Sequence, residues 1–216
     1  MRDPFLPQLL SCRACPRLAA FLAEVRERHP HYHAAPVAAF GDVAARLLIV
    51  GLAPGLHGAN RSGRPFTGDH AGILLYQTLH RYGYATRPES LARDDGLELR
   101  DCRITNAVKC LPPQNKPEPE EVRCCNAHLA EELRLSPQVH VILALGGVAH
   151  KAVLLAHQLK QNAAVFAHGA RHELPGGRVL LDSYHCSRYN TQTRRLTPES
   201  FADVFELARA ELARSL

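Results

Sequence analysis

Residues 139–145 are Val-His-Val-Ile-Leu-Ala-Leu, and Gly146-Gly147 follow them directly. A short apolar run closed by glycines is typical of a strand that is buried on both faces of a parallel sheet. Residues 46–51, Arg-Leu-Leu-Ile-Val-Gly, have the same character. Further strands are predicted at 103–108 and 178–182, and helices at 73–82, 118–133, 148–159 and from Pro198 to the C-terminus. Strands that alternate with helices predict an α/β fold, a three-layer α/β/α sandwich around a mostly parallel sheet.

Length and composition limit the class of protein. The chain has 216 residues, 46% of them hydrophobic, which predicts one domain over residues 1–216 with a substantial core. No apolar run is long enough for a membrane span, and the first residues lack the features of a signal peptide, so we expect a soluble, cytoplasmic protein. We also expect a monomer, although no sequence feature decides the oligomeric state. Lys and Arg outnumber Asp and Glu by 26 to 21, and a mild basic excess suits a polyanionic partner.

The chain has seven cysteines, which are not expected to form disulfides in a cytosolic protein. Metal binding or catalysis is therefore the better hypothesis. Cys12 and Cys15 form a C-x-x-C pair near the N-terminus, Cys110 follows a predicted strand, and Cys124 and Cys125 lie within a predicted helix. Four thiolates can hold either a [4Fe–4S] cluster or a tetrahedral zinc ion. Spacing alone does not decide between the two, nor between Cys124 and Cys125 as the fourth ligand.

The loop after the strand at 46–51 runs from Gly51 to Asp69 and contains several glycines, which allow close approach of a ligand to the backbone. It lacks the Lys-Ser/Thr of a phosphate-binding P-loop and fits no dinucleotide motif. Phe66 is interpreted either as a ring that stacks on a base or as a core plug below the loop. Asp69 precedes a helix, so it is either a helix cap or a catalytic carboxylate.

Four motifs together resemble the uracil-DNA glycosylase superfamily, and within it the iron–sulfur family called family five or type b. They are Gly-Leu-Ala-Pro-Gly at 51–55, Gly-Arg-Pro-Phe-Thr-Gly-Asp at 63–69, Lys-Cys-Leu-Pro-Pro-Gln-Asn-Lys-Pro at 109–117 and Ser-Tyr-His-Cys-Ser-Arg-Tyr-Asn-Thr-Gln-Thr at 183–193. The resemblance spans almost the whole chain. It implies a central four-stranded parallel sheet and an enzyme that flips a base out of DNA and hydrolyses its N-glycosidic bond in base excision repair.

The resemblance also implies residue roles. The cluster would be [4Fe–4S], held by Cys12, Cys15, Cys110 and Cys125. The catalytic residues would be Asp69, Asn115 and His185. Substrate-binding residues would be Gly51, Ala53, Pro54, Gly55, Phe66 and Asn106. Separately from the resemblance, the basic and aromatic residues that follow His185 suit either a loop inserted into the duplex or a solvated basic loop. Together with two arginines of the first loop, the first alternative predicts DNA contacts through Arg61, Arg64, Arg188, Tyr189 and Asn190.

The sequence departs from related branches at two positions. A sister iron–sulfur branch has Glu where this chain has Leu52, which points to Asp69 as the residue that activates water. Asn106 stands where the type b family often has a small apolar residue; it either reads the edge of uracil or satisfies backbone groups at a strand end. The competing functions are a non-catalytic nucleic-acid-binding module and a glycosidase of free nucleosides. The substrate range is expected to cover uracil, with other deaminated bases left open.

Overall fold

The computed structural model describes residues 6–214, with side chains from residue 8 onward. The strands are β1 (Phe40–Gly41), β2 (Leu47–Gly51), β3 (Cys102–Asn106), β4 (Val141–Leu145), β5 (Arg171–Glu173) and β6 (Val179–Ser183). The helices are α1 (Leu6–Leu10), α2 (Pro16–Arg28), α3 (Ala59–Ser62), α4 (His70–Arg81), α5 (Pro119–Arg134), α6 (Gly147–Ala156), α7 (Arg188–Gln192) and α8 (Pro198–Arg214). A 3₁₀ turn covers Pro113–Asn115.

The sheet has six strands in the order β1-β3-β2-β4-β6-β5. Its four central strands, β3, β2, β4 and β6, are parallel to one another, whereas β1 and β5 pair antiparallel at the two edges. The α/β class is therefore confirmed, but the four-stranded, wholly parallel sheet is wrong. The two edge strands have only two and three residues, and Arg-His-Glu in β5 has no apolar alternation from which a strand could be predicted.

Successive residues of the central strands point to opposite faces of the sheet and pack in two different hydrophobic cores. Leu47 and Ile49 pack on the side of α4 and α8, with Phe201 and Phe205 of α8 in the same cluster. Leu48 and Val50 belong to the opposite cluster, which contains residues of α5 and α6. This alternation follows from the two-residue period of a strand, and it makes the sheet the middle layer of a three-layer sandwich.

The carboxyl ends of the parallel strands share one edge of the sheet. In the ladders Gly51 pairs with Asn106, and Leu145 pairs with Ser183. The loop from Gly51 to Asp69, the turn at Gly146 and the segment after Ser183 therefore all begin at this edge. In open α/β sheets this is the edge at which ligands bind.

The N-terminal helices lie against α5. Arg17 of α2 forms an ion pair with Glu121 of α5 at 2.8 Å, and Glu121 also closes a capping box with Glu118 at the start of α5. These contacts bring the Cys12–Cys15 pair to the helix that carries Cys125. Within residues 6–214, no helix is both long and apolar enough to cross a membrane.

Candidate functional site

Asp69 caps helix α4. Its Oδ1 accepts a hydrogen bond of 2.9 Å from the backbone N–H of Gly72, in the manner of an N-cap residue. The other oxygen, Oδ2, faces the loop after β2, since a β-carbon placed on Gly58 would lie only 2.6 Å from it. Burial raises the pKa of the Asp69 carboxyl above its usual value, although the N–H of Gly72 partly opposes this shift. Asp69 is thus a helix cap with one oxygen left for another role.

Phe66 packs beside the end of β2. Its ring is 5% exposed, and its Cζ would lie 2.6 Å from a β-carbon on Gly51. Its backbone is left-handed, with φ of 54°, which is uncommon for a bulky residue and is typical of constrained sites. The Phe66 ring also belongs to the core cluster on the α4 side. The Phe66 ring thus packs in the core, as the core-plug interpretation expects, and stacking on a base stays a prediction.

His185 lies against Phe66. The two ring centroids are 5.8 Å apart with an angle of 29° between the planes, which is a stacked arrangement. Burial lowers the pKa of His185 to about 4, so the imidazole is neutral at neutral pH. Within the described residues its ring nitrogens have no hydrogen-bond partner. Gly146 has a φ of 99°, and a β-carbon added to it would lie 3.5 Å from the β-carbon of His185.

Asn106 ends β3 and, like Phe66, lies against Gly51. It is 3% exposed, and its Oδ1 is buried without a hydrogen-bond partner within the described part of the chain. Its Oδ1 also lies against Gly51, where a β-carbon would clash with it. A buried acceptor without a donor costs about 1–3 kcal/mol unless a ligand supplies one. The side chains of Asn106 and Phe66 therefore meet at Gly51.

Asn115 is more exposed than Asp69, Phe66, Asn106 and His185. It is exposed at the end of the 3₁₀ turn, with φ of 56°, and its only described hydrogen bond is from its own backbone N–H to Pro112. No described contact joins it to Asp69 or His185.

The arginines of the first loop have different environments. Arg61 is exposed and borders an open groove of about 680 Å³, which Asp69, His70 and Arg188 also line. Arg64 is 3% exposed and forms an ion pair of 2.6 Å with Asp95. The guanidinium of Arg64 is thus buried and already paired, unlike that of Arg61, and we leave Arg64 out of the proposed DNA contacts.

The sequence predicts a loop after Ser183, whereas in the structure this segment contains helix α7. Tyr189 of α7 is 70% exposed. The Asn190 amide donates a hydrogen bond of 2.8 Å to the carbonyl of His185. Asn190 thus holds the His185 backbone, whereas Tyr189 projects into solvent.

Five cysteines surround one cavity of about 80 Å³: Cys12, Cys15, Cys110, Cys124 and Cys125. Burial and the neighbouring thiol of Cys125 raise the pKa of Cys110 to about 12. Thiols with raised pKa values become thiolates readily only beside positive charge such as a metal. Ala53 of the first loop packs in the same cluster as Cys15 and Cys110, so it borders the cysteines, and its role in substrate binding stays a prediction.

Cys125 and Cys124 differ in their surroundings. Cys125 is buried, and its sulfur accepts a hydrogen bond of 3.2 Å from the backbone N–H of Lys109. Cys124 is partly exposed and its thiol lies 3.6 Å from the carbonyl of Ala14. Within the described residues no three cysteine sulfurs lie within 4.8 Å of one another.

Sequence reasoning missed the glycines that make room for the functional side chains. Gly58 faces Asp69 and Gly146 faces His185. Gly146 directly follows strand β4 and has a positive φ, and a glycine at the end of a predicted strand is a pattern that can be recognised in the sequence. The proximity of Gly58 to Asp69 depends on the course of the whole loop, which no local pattern reveals.

Comparison with known proteins gives consistent matches. A family model described as the uracil DNA glycosylase superfamily matches residues 38–209. The chain is 51% identical over 213 residues to the type-5 uracil-DNA glycosylase of Thermus thermophilus, covering 96% of this chain and 97% of that protein. It is 42% identical to the type-5 enzyme of Pyrobaculum aerophilum, with 97% and 92% covered, and 44% identical to that of Mycobacterium leprae, with 94% and 92% covered.

Proposed function

The chain belongs to the uracil DNA glycosylase superfamily, and we propose that it acts in DNA repair as a type-5 uracil-DNA glycosylase. It hydrolyses the N-glycosidic bond of uracil in DNA and leaves an abasic site. The observation that carries the residue assignment is the meeting of Phe66 and His185 at the carboxyl edge of the sheet, beside Asn106. A pocket at that edge suits a base that has left the duplex.

The pocket fits uracil through Asn106 and Phe66. Uracil presents an N3–H donor on its Watson–Crick edge, whereas N3 of cytosine is an acceptor. The buried Oδ1 of Asn106 needs a donor and would receive one from uracil. Phe66 supplies an apolar ring beside the base plane. This arrangement favours uracil over cytosine.

Asp69 and His185 act on the two charges that develop as the bond breaks. The sugar becomes cationic, and the Asp69 carboxylate, through its Oδ2, stabilises it and positions the attacking water. The base leaves with negative charge, and the neutral imidazole of His185 donates its N–H to uracil O2. Because His185 makes no other hydrogen bond from its ring within the described chain, its N–H is available for this contact.

DNA binds along the groove that adjoins Asp69. Arg61 and Arg188 line this groove and are both exposed, as phosphate contacts require. Tyr189, exposed on α7, enters the space that the flipped base vacates. Asn115 is proposed as a further contact to the substrate, made from the exposed turn at 113–115. Because a free nucleoside has no phosphates, a groove lined by two arginines favours a polymeric substrate.

The cysteine cavity fits an iron–sulfur cluster better than a zinc ion. Sulfurs around one tetrahedral zinc ion lie about 3.8 Å apart, given Zn–S bonds of about 2.3 Å. The wider spacing of the cysteines and a cavity several times larger than one water needs both suit a multi-iron cluster. We assign the ligands as Cys12, Cys15, Cys110 and Cys125, because Cys125 is buried and its sulfur accepts an N–H.

When bound, a [4Fe–4S] cluster supplies structural cross-linking among the N-terminal segment, the end of β3 and helix α5. The protein around it is built for that role, since Ala53 packs against the cysteines and continues into the loop that carries Phe66 and Asp69. The cysteine region thus supports the backbone of the pocket.

A test uses the protein purified with its cluster and a labelled duplex that carries one uracil, with a thymine duplex as control. Alkali treatment reveals abasic sites as strand breaks at the uracil position. The Asp69→Asn and His185→Ala variants, purified in parallel, control for contaminating enzymes. We expect the wild type to cleave the uracil duplex far faster than either variant, and no protein to cleave the thymine duplex. An intact uracil strand after incubation with the cluster-containing wild type would disprove the function.

A further inference from the structure

We propose that His168 is a positioning residue for His185, acting through Tyr184 and the end of strand β6. The inference rests on the proposed glycosylase function, because His185 is the group whose placement it explains. His185 has no hydrogen bond from its own ring within the described chain, so its neighbours must set its orientation.

His168 binds both of its ring nitrogens to backbone. Its Nδ1 accepts a hydrogen bond of 3.2 Å from the N–H of Tyr184, the residue before His185. Its Nε2 donates a hydrogen bond of 3.2 Å to the carbonyl of Ser200, in the first turn of α8. One neutral tautomer satisfies both bonds, with the proton on Nε2. His168 therefore links the peptide that leads into His185 to the helix α8 packed on the sheet.

The Tyr184 ring is held in place by two contacts. It stacks on the His168 ring with centroids 5.0 Å apart and an angle of 8°, and the Arg195 guanidinium lies 4.2 Å from the centre of the Tyr184 ring. The segment that carries His168 is itself hydrogen-bonded to β6. The backbone N–H of Gly169 donates to the carbonyl of Asp182, and the backbone N–H of Asp182 donates to the carbonyl of Ala170. The backbone at 183–184 thus has little freedom to turn.

Fixing this backbone fixes the reach of His185 toward the departing base. On its far side, His185 is held by the Asn190 amide, which binds its carbonyl at 2.8 Å. His168 and Asn190 therefore hold the His185 backbone from both directions along the chain. A displacement of about 1 Å in a catalytic group can cost about a hundredfold in rate.

The experiment measures single-turnover excision of uracil from a duplex, with protein in excess, and the dissociation constant of the same duplex. For His168→Ala we expect the rate to fall about ten- to a hundredfold while the dissociation constant changes less than about threefold. His168→Asn should recover most of the rate, because its amide oxygen can accept the Tyr184 N–H in place of Nδ1. His157→Ala is the matched control: it removes a half-buried histidine at the far end of α6, where its Nδ1 bonds only to Val153.

A double-mutant comparison separates positioning from general damage to the fold. If His168 acts through His185, then His168→Ala should slow excision by less than about twofold in a His185→Ala background. An equal loss in both backgrounds, or an unchanged rate for His168→Ala, overturns the inference. Failure of the wild type to release uracil would instead refute the proposed function, so the two failures are distinguishable. Cluster absorbance of each variant confirms that it has folded.

Discussion

The Asp69→Asn substitution separates the two roles of this residue, as helix cap and as catalytic carboxylate. Asn caps helices about as well as Asp, so the hydrogen bond from Gly72 to the side-chain oxygen should persist. The charge, however, is lost. We expect excision of uracil to slow by about a hundred- to ten-thousandfold, the range usual for loss of a general base or an electrostatic stabiliser.

The stability of Asp69→Asn should move in the opposite direction. Burial raises the pKa of Asp69, so an ionised carboxylate at this site destabilises the folded protein at neutral pH. The penalty is present above the folded-state pKa and disappears as the pH falls below the unfolded value of about 3.9. At pH 7 the Asn variant should therefore be at least as stable as the wild type, and the difference should narrow in acid.

Asp69→Ala provides the contrast, because it removes both the charge and the cap. Loss of an N-cap costs about 1 kcal/mol, equivalent to a fall of about 2–4 °C in Tm for a domain of this size. Single-turnover excision measures the chemistry, and thermal unfolding followed by circular dichroism measures the stability. If Asp69→Asn cut uracil within about threefold of the wild-type rate, Asp69 would be a cap alone. If it unfolded as easily as Asp69→Ala, the capping argument would be wrong.

Three further predictions test the site, the cluster and the DNA surface. His185 should give the single-turnover rate no inflection near the ordinary histidine pKa of about 6.5, because burial lowers its pKa to about 4, and the rate should fall in acid as the Asp69 carboxylate, whose pKa burial raises, becomes protonated; an inflection near 6.5 that persists in the Asp69→Asn variant would show an ordinary imidazole. Cys125→Ser should abolish the absorbance near about 400 nm that iron–sulfur clusters generally show, whereas Cys124→Ser should keep it, and the reverse result would exchange the two assignments. Arg61→Ala should weaken DNA binding and reduce the slope of log K against log salt by about one, while Arg64→Ala should mainly destabilise the fold, by about 3–5 kcal/mol; equal salt slopes for wild type and Arg61→Ala would exclude Arg61 from phosphate binding.

The central sheet was predictable because burial on both faces leaves a strong local signal. Residues 47–51 and 141–145 are almost wholly apolar, and each is followed by a glycine-containing segment. From parallel strands it follows that loops distant in sequence meet at one edge. That topological rule, and not any contact visible in the sequence, is why Phe66 and His185 could be expected near each other.

The environment of each arginine was not predictable, because it depends on a partner far along the chain. Arg61 and Arg64 are three residues apart and look alike in the sequence. Only the folded chain brings Asp95 and Ser90 to the Arg64 guanidinium, at 2.6 Å in each case. A buried charge needs such partners, so tertiary contacts decide whether an arginine is buried with a structural role or exposed. The same holds for Asn115, whose exposure reflects the course of its loop.

The pocket also depends on side chains that are missing. Gly51 faces Phe66, Gly58 faces Asp69 and Gly146 faces His185, and each glycine belongs to a different part of the backbone from the residue it faces. At Gly51 and Gly58 a β-carbon would lie 2.6 Å from its neighbour, well inside contact distance, so these side chains sit directly against main chain. Backbone moves less readily than side chains, because hydrogen-bonded strands and helix caps hold it. Close contact with main chain therefore helps to hold the Phe66 ring and the Asp69 side chain in place, while the His185 ring keeps its N–H free to donate to a substrate.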